Sequence, residues 1–200
     1  MEEINGTFLD MGVAAFTLPG QVECGDRHVI APFDGGVLLA VIDGVGQGIE
    51  AAEVAKTAEN VLKNHPEEAL EPLIKRCHEE LRGTRRVVMS LASFNRAEKT
   101  MTWAGTGNIQ GYLLPMNMLS PPRSLLLCTG TLGQKLGLVY PTVIPTTPGD
   151  TLIFATDGLR EDFYQDVNLK QSPQQLADEI MARSARRTDD ALVLVGRYFV

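Results

Sequence analysis

The sequence predicts an α+β sandwich with sheets inside and helices outside, and three observations carry that prediction. An apolar run at 36–42 is followed by two consecutive helical patterns. From Arg86 onward the pattern changes to a succession of short strands separated by polar turns. One further helical pattern and a closing strand complete an order unlike a series of βαβ units. With 200 residues, 44% of them hydrophobic, the chain suits one well-buried domain, 1–200.

In chain order, "HVIAPF" (28–33) and "GVLLAVI" (36–42) read as strands joined by a turn at "DGG", the second so apolar that both faces are expected to be buried. Ile49 to Asn64 repeats Ala51, Ala55, Ala58 and Leu62 at helical spacing, a small-residue face suited to lying close on a sheet. A second helix is expected over Pro72 to Arg82, with Pro72 in its first turn, Leu73, Cys77 and Leu81 on one side, and Gly83 ending it. "VVMSLASF", "EKTMTWAG" and "GNIQGYLL" read as an antiparallel meander. Residues 115–137 combine adjacent prolines with several glycines and are expected to be mostly irregular surface; the loop from about Leu114 to Gly133 borders no motif and reads as either docking surface or padding. "DTLIFATDGL" is a further buried strand. Ser172 caps and Pro173 opens a helix with Leu176, Ile180 and Met181 inward, and "ALVLVGRYF" closes the chain as a strand.

The net charge of −7 and the lack of a basic run exclude nucleic acid as a partner. No apolar run reaches about 18 residues, and "MEEINGTFLD" opens with acids where a signal peptide carries bases, so a cytoplasmic monomer with no membrane contact is expected. Cys24, Cys77 and Cys128 fit neither a disulfide framework nor a zinc site, and Cys77 and Cys128 read as small core residues. A cysteine attacking phosphate needs an arginine six residues on, where Ile30, Gly83 and Gln134 stand. His28, His65 and His78 lack metal-ligand spacing and read as structural or solvated.

Four stretches place aspartate beside glycine or another acid: "CGD" at 24–26, "IDG" at 42–44, "TDG" at 156–158 and "TDD" at 188–190. Each alone is an ordinary turn. Three of them abut apolar strands, at Ile42, Ala155 and Ala191, whose ends converge if the strands lie in packed sheets. Converging carboxylates repel and raise one another's pKa unless a cation lies between them. Oxygen-only ligation suits Mg²⁺ or Mn²⁺, and a glycine beside the ligand lets the backbone approach the ion. Two such ions roughly 3.5 to 4 Å apart activate water for in-line displacement at phosphorus.

"LAVIDGVGQG" followed by a helix, "AGTGNIQGYLL", "FATDGL" and "TDDALVLVG" occur in the order and approximate spacing of the bacterial metal-dependent Ser/Thr protein phosphatases of the type-2C (PPM) class, which the chain resembles over nearly its whole length. The resemblance implies a four-layer αββα sandwich of two antiparallel sheets flanked by helices, with two Mn²⁺ or Mg²⁺ ions at one end. It implies that Asp43 bridges both ions, that Gly44 offers its carbonyl, and that Asp26 serves the same ion directly or through water. Asp157 and Asp189 match the ligands of the other ion, and Asp190 is assigned to the layer behind them or as an alternative ligand. The nucleophile in the class is an activated water. The short, free-standing chain resembles the stressosome feedback phosphatases in particular. That likeness implies phosphorylated STAS-domain scaffold proteins of a stressosome-like complex as substrates, and resetting of general stress signalling as the role.

One position departs from the class. Relatives read D-G-x-G-H-G, and here the histidine position is Gln47, whose amide orients water or phosphate but has no titratable proton near neutral pH. All metal positions are kept, so a slower or narrowly selective phosphatase is expected. No arginine stands just before "CGD", where some larger relatives hold phosphate; Arg27 or the Arg186–Arg187 pair are the candidate substitutes. Two other readings compete: a catalytically silent phosphoprotein-binding module of the same fold, and a dinucleotide-binding protein using Gly46, Gly48 and Ala51 as G-x-G-x-x-A. Against the second, Asp43 would lie close to the pyrophosphate and the chain enters a second helix.

Overall fold

The computed structural model describes residues 8–116 and 121–199; the acidic N-terminal stretch 1–7 and residues 117–120 of the expected irregular segment lie outside them. The elements are β1 (Leu9–Phe16), β2 (Asp26–Phe33), β3 (Gly36–Gly44), α1 (Ile49–Asn64), α2 (Leu70–Glu80), β4 (Val87–Asn95), β5 (Thr100–Thr106), β6 (Gln110–Leu114), β7 (Arg123–Ser124), β8 (Gly130–Thr131), β9 (Lys135–Leu136), β10 (Thr142–Pro145), β11 (Thr151–Ala155), α3 (Pro173–Ser184) and β12 (Ala191–Tyr198). One sheet runs β1-β12-β11-β6-β7 and the other β10-β5-β4-β3-β2, with β8 and β9 as a separate ribbon. The named strands all pair antiparallel. Helices α1 and α2 cover the second sheet and α3 covers the first, giving the expected αββα sandwich.

Three apolar layers hold these four together, and β3 shows how the sequence specifies them. Leu38, Ala40 and Ile42 point to α1 and α2. Val37, Leu39 and Val41 point into the space between the sheets. A strand buried on both faces needs an uninterrupted apolar run, which is what "GVLLAVI" supplies. Strand β12 alternates likewise, with Leu192 and Leu194 between the sheets and Ala191, Val193 and Val195 under α3. On α1 the predicted face of Ala51, Ala55, Ala58 and Leu62 is fully buried. Ser172 and Gln175 form a reciprocal capping box at the start of α3, with Pro173 in the first turn.

Four differences from the sequence reading bear on the site. Strand β2 starts at Asp26, two residues before "HVIAPF", so Asp26 is a strand residue. The meander breaks after β5: β6 crosses to the other sheet and pairs with β11, because residues 107–109 form a turn between the two layers. Strand β1 has no counterpart in the sequence reading; it is recruited by β12 from the far end of the chain, a pairing with no local signal. Its outer edge is closed by Gln174, whose side-chain amide both donates to the Val13 carbonyl and accepts from the Val13 amide. Residues 121–137 are more than surface, since Leu125 and Leu132 are buried and the β8–β9 ribbon forms there.

Smaller corrections follow the same lines. Helix α2 begins at Leu70, two residues early, and β10 adds an unpredicted edge to the second sheet. Cys77 is in the core, whereas Cys128 is only partly buried. Strands β3 and β4 are antiparallel neighbours with both α1 and α2 between them, which removes the parallel βαβ unit a dinucleotide site requires. No helix among the described residues is long and apolar enough to cross a membrane.

Leu39 is fully buried between the sheets, against Gly196. Leu39→Ala is expected to lower stability by about 2–5 kcal/mol, read by chemical denaturation; a loss below about 1 kcal/mol would place little weight on the layer between the sheets.

Candidate active site

Strand register brings the first two acids together. In the β2–β3 ladder Asp26 is the direct partner of Asp43, at the end of the pair where β3 runs into the loop before α1. Like charges directly opposite each other destabilise a sheet, and here both carboxyls are largely withdrawn from water. The other three acids come from the facing sheet. Asp157 follows β11 and Asp189 and Asp190 precede β12, and those two strands are paired at that end through Ala155 and Val193. One cleft of about 550 Å³ at the end of the sandwich is lined by Asp26, Asp43, Asp157, Asp189 and Asp190, together with Gln47, Arg86, Asn108 and Thr131.

The glycines beside the acids are required by the packing itself. A Cβ on Gly44 would lie 2.1 Å from the Ala51 carbonyl oxygen in the first turns of α1. A Cβ on Gly158 would lie 1.9 Å from the Asp190 carbonyl oxygen. Each Asp-Gly step therefore lets a neighbouring element come within backbone contact of the strand end, and that proximity gathers the carboxylates.

Four of the five acids have hydrogen-bond partners among the described residues. Asp26 Oδ2 accepts from the Thr156 hydroxyl at 2.7 Å, and Thr156 Oγ1 in turn accepts from the Leu192 amide at 2.9 Å, so one chain of bonds fastens the two sheets at the cleft. Asp190 is buried, and its two oxygens accept from the backbone amides of Leu18 at 2.8 Å and Gly25 at 2.6 Å. Asp189 Oδ1 accepts from its neighbour's amide at 2.9 Å and from Gln47 Nε2 at 3.4 Å. Asn108 Nδ2 donates to Asp157 Oδ2 at 2.7 Å.

The carboxyls respond to this crowding. Burial first, and then the negative charge of Asp43, push Asp26 up to about 8, against the opposing Thr156 hydrogen bond. Burial, followed by the charges of Asp157, Asp189 and Asp190, pushes Asp43 up to about 7. The donor set is wholly oxygen and fits a hard divalent cation. Among the described residues, however, no three acidic, His or Cys side chains already form a tight ion cage. The two observations agree physically: uncompensated carboxylates face one cleft yet stand apart, and Asp26, Asp157, Asp189 and Asp190 are each turned to a donor of their own.

Several contributors to the cleft were not assigned from sequence. Asn108 lies within the quoted "AGTGNIQGYLL" but received no role there, because only the turn between the sheets aims it at Asp157. Thr131 belongs to the segment read as bordering no motif, and it lines the cleft. Arg27 is engaged with Glu23 and Glu59, each at 3.5 Å, and Arg187 stacks over Phe16 at 5.9 Å. Neither they nor Arg186 line the cleft; the basic residue that does is Arg86.

Asp26 and Asp43 bind protons more tightly in the folded chain than their ordinary value of 3.8. Their contribution to stability is full below about pH 4 and is lost as pH rises through about 7 and then 8. Chelator-treated protein is therefore expected to lose stability between pH 5.5 and 8.5 in denaturant titrations, with the slope reduced in Asp26→Asn. A flat profile in both proteins would mean that the pair is not strained.

Comparison with known proteins gives a consistent assignment. The model of the family Stage II sporulation protein E (SpoIIE) matches residues 34–199. The phosphoserine phosphatase RsbX of Bacillus subtilis (strain 168) is 25% identical over 180 residues, 89% of each chain. A solved chain from work on the bacterial stressosome as a modular system adapted to control secondary messenger signalling is 28% identical, with a TM-score of 0.85 over 94% of this chain and 99% of that one. RsbX solved in complex with magnesium aligns with a TM-score of 0.83 over 94% of both chains at 22% identity, a likeness of fold. The chain belongs to the SpoIIE family and is a protein serine/threonine phosphatase of the type-2C class.

Proposed function

We propose that this protein hydrolyses phosphoserine and phosphothreonine in a protein partner, in the cytoplasm, with two Mn²⁺ or Mg²⁺ ions held by Asp26, Asp43, the Gly44 carbonyl, Asp157 and Asp189. The observation that carries the reading is the convergence of aspartates from both sheets on one cleft, two of them with strongly raised proton affinity. Ions bound there supply Lewis acidity toward water and toward the phosphoryl oxygens. Asp43, flanked by Asp26 on its own sheet and sharing the cleft with Asp157 and Asp189, would be the residue placed to serve both ions. Asp190 spends both oxygens on backbone amides and serves as a clamp that fixes Asp189 and the entry to β2.

The remaining residues orient and hold. Asn108 keeps the Asp157 carboxylate turned into the cleft. Gln47 reaches across it to Asp189, which holds the loop after β3 against the facing sheet but offers no proton to a departing serine oxygen. Proton supply then falls to solvent, so a slow enzyme follows. As partners we propose phosphorylated STAS-domain scaffold proteins of a stressosome-like complex, with dephosphorylation resetting stress signalling and the chain acting as a monomer. The phosphoserine phosphatase relative and the stressosome chain at 28% identity support this choice.

Purified protein with Mn²⁺ is expected to release phosphate from a phosphorylated STAS-domain protein, and to lose that activity with chelator or in Asp43→Asn. Metal binding without turnover on any phosphoprotein would favour the silent binding module; turnover of a phosphoserine peptide with the STAS phosphate left intact would sink only the partner assignment. Gln47→His is expected to raise kcat by on the order of 10²-fold, at the low end of what a general acid contributes. An unchanged kcat would show that leaving-group protonation does not limit the rate.

A further inference from the structure

Five carboxylates line the cleft; once bound ions have displaced the protons of Asp26 and Asp43, they carry one negative charge more than two divalent ions neutralise. A phosphate monoester arriving there is itself largely a dianion near neutral pH. Without a further cation the approaching substrate would meet a net repulsion beyond the ions' immediate contacts, in a partly buried site where screening is weak.

Arg86 is the Arg, Lys or His side chain that lines this cleft among the described residues. It immediately precedes β4, in the sheet that also carries Asp26 and Asp43. Its side chain is exposed and, among the described residues, forms no ion pair or side-chain hydrogen bond. Adjacent Arg85 behaves differently: its guanidinium is tied to Glu50 at the start of α1. Arg27 is likewise tied to acids and lines a different cleft. Arg86 is thus a guanidinium left free beside an acid-rich site, the arrangement expected of a group reserved for an incoming anion.

The backbone of Arg86 holds its side chain in place. Its carbonyl accepts from the Val45 amide at 2.9 Å, and Val87 pairs with Gly44 in the β3–β4 ladder. The loop carrying Asp43, Gly44 and Gln47 is therefore anchored to the backbone of Arg86, and the guanidinium has a fixed base beside that loop. Because the anchor is a main-chain bond, changing the side chain leaves it intact.

We infer that the Arg86 guanidinium binds the phosphoryl group of the substrate, supplying the cation that the aspartate cleft lacks. The inference rests on the phosphatase reading for its ligand, and it assigns phosphate recognition to a position different from those suggested by the sequence. Bidentate hydrogen bonding by the planar guanidinium fits two phosphoryl oxygens at once. A lysine at the same place would restore the charge but not the fork.

The test is calorimetric titration of inorganic phosphate into Mg²⁺-saturated protein, wild type against Arg86→Ala and Arg86→Lys, with Mg²⁺ affinity and thermal stability measured on each. Arg86→Ala is expected to weaken phosphate binding by roughly 10-fold or more while leaving Mg²⁺ affinity and stability unchanged, with Arg86→Lys recovering part of the loss. Phosphate affinity that is absent in wild type, or unchanged in Arg86→Ala, would overturn the inference. Joint loss of Mg²⁺ and phosphate binding in a folded Arg86→Ala protein would overturn it too, because the residue would then act through the metal loop. If wild type binds phosphate through Arg86 yet frees none from phosphoserine peptides, the inference stands and the phosphatase reading of this chain falls.

Discussion

Asp26 and Asp43 are direct partners on adjacent antiparallel strands, both largely withdrawn from water; the charge of Asp43 raises the hold of Asp26 on its proton, and the acids of the facing sheet do the same for Asp43. A cross-strand pair of like charges in a partly buried place is a cost that a fold does not carry without a return. Removing it would be simple in sequence terms, since either position would accept an amide or an apolar residue as a strand end. The features around the pair maintain the cost instead: the register that sets the acids opposite, the glycine that brings α1 onto Gly44, and the third and fourth carboxylates aimed at them from the other sheet.

The two sheets meet at this end through bonds that use the acids themselves. Asp26 is joined by way of Thr156 to the start of β12, and Asp190 is joined to the segment that leads into β2. The neighbours Asp189 and Asp190 illustrate a division of labour set by hydrogen bonding. Asp190 has both oxygens taken by backbone amides, while the Asp189 carboxylate, among the described residues, accepts from a local amide and from Gln47. Chemistry and architecture are therefore coupled here: a change that loosens the clamp at Asp190 also displaces the carboxylate beside it.

Much of the fold was legible because its signals are local. The uniform apolar run of β3, the alanine face of α1, and the Ser172–Pro173 start of α3 each follow from spacing over a few residues, and the structure matches them. What was not legible depends on distant partners. Strand β1 is defined by β12, and the passage of β6 into the other sheet depends on β11, so neither leaves a pattern in its own segment. The same distinction applies to the cleft. The aspartates were recognisable by their glycine neighbours and apolar strands, whereas Asn108, Thr131 and Arg86 have ordinary surroundings in sequence and reach the cleft only through tertiary placement. The glycines were recognised for an incomplete reason, since Gly44 is required by the Ala51 carbonyl of the approaching helix as well as by any need of an ion.

Electron paramagnetic resonance of Mn²⁺ titrated into the metal-free protein tests directly whether the buried acid pair exists to hold bridged ions. Binding of about two ions per chain with a spin-coupled spectrum is expected, and Asp43→Asn should convert the remaining signal to that of isolated ions. Isolated-ion spectra throughout the wild-type titration, or no binding at all, would contradict a bridging Asp43 and leave the strain of the Asp26–Asp43 pair without a purpose.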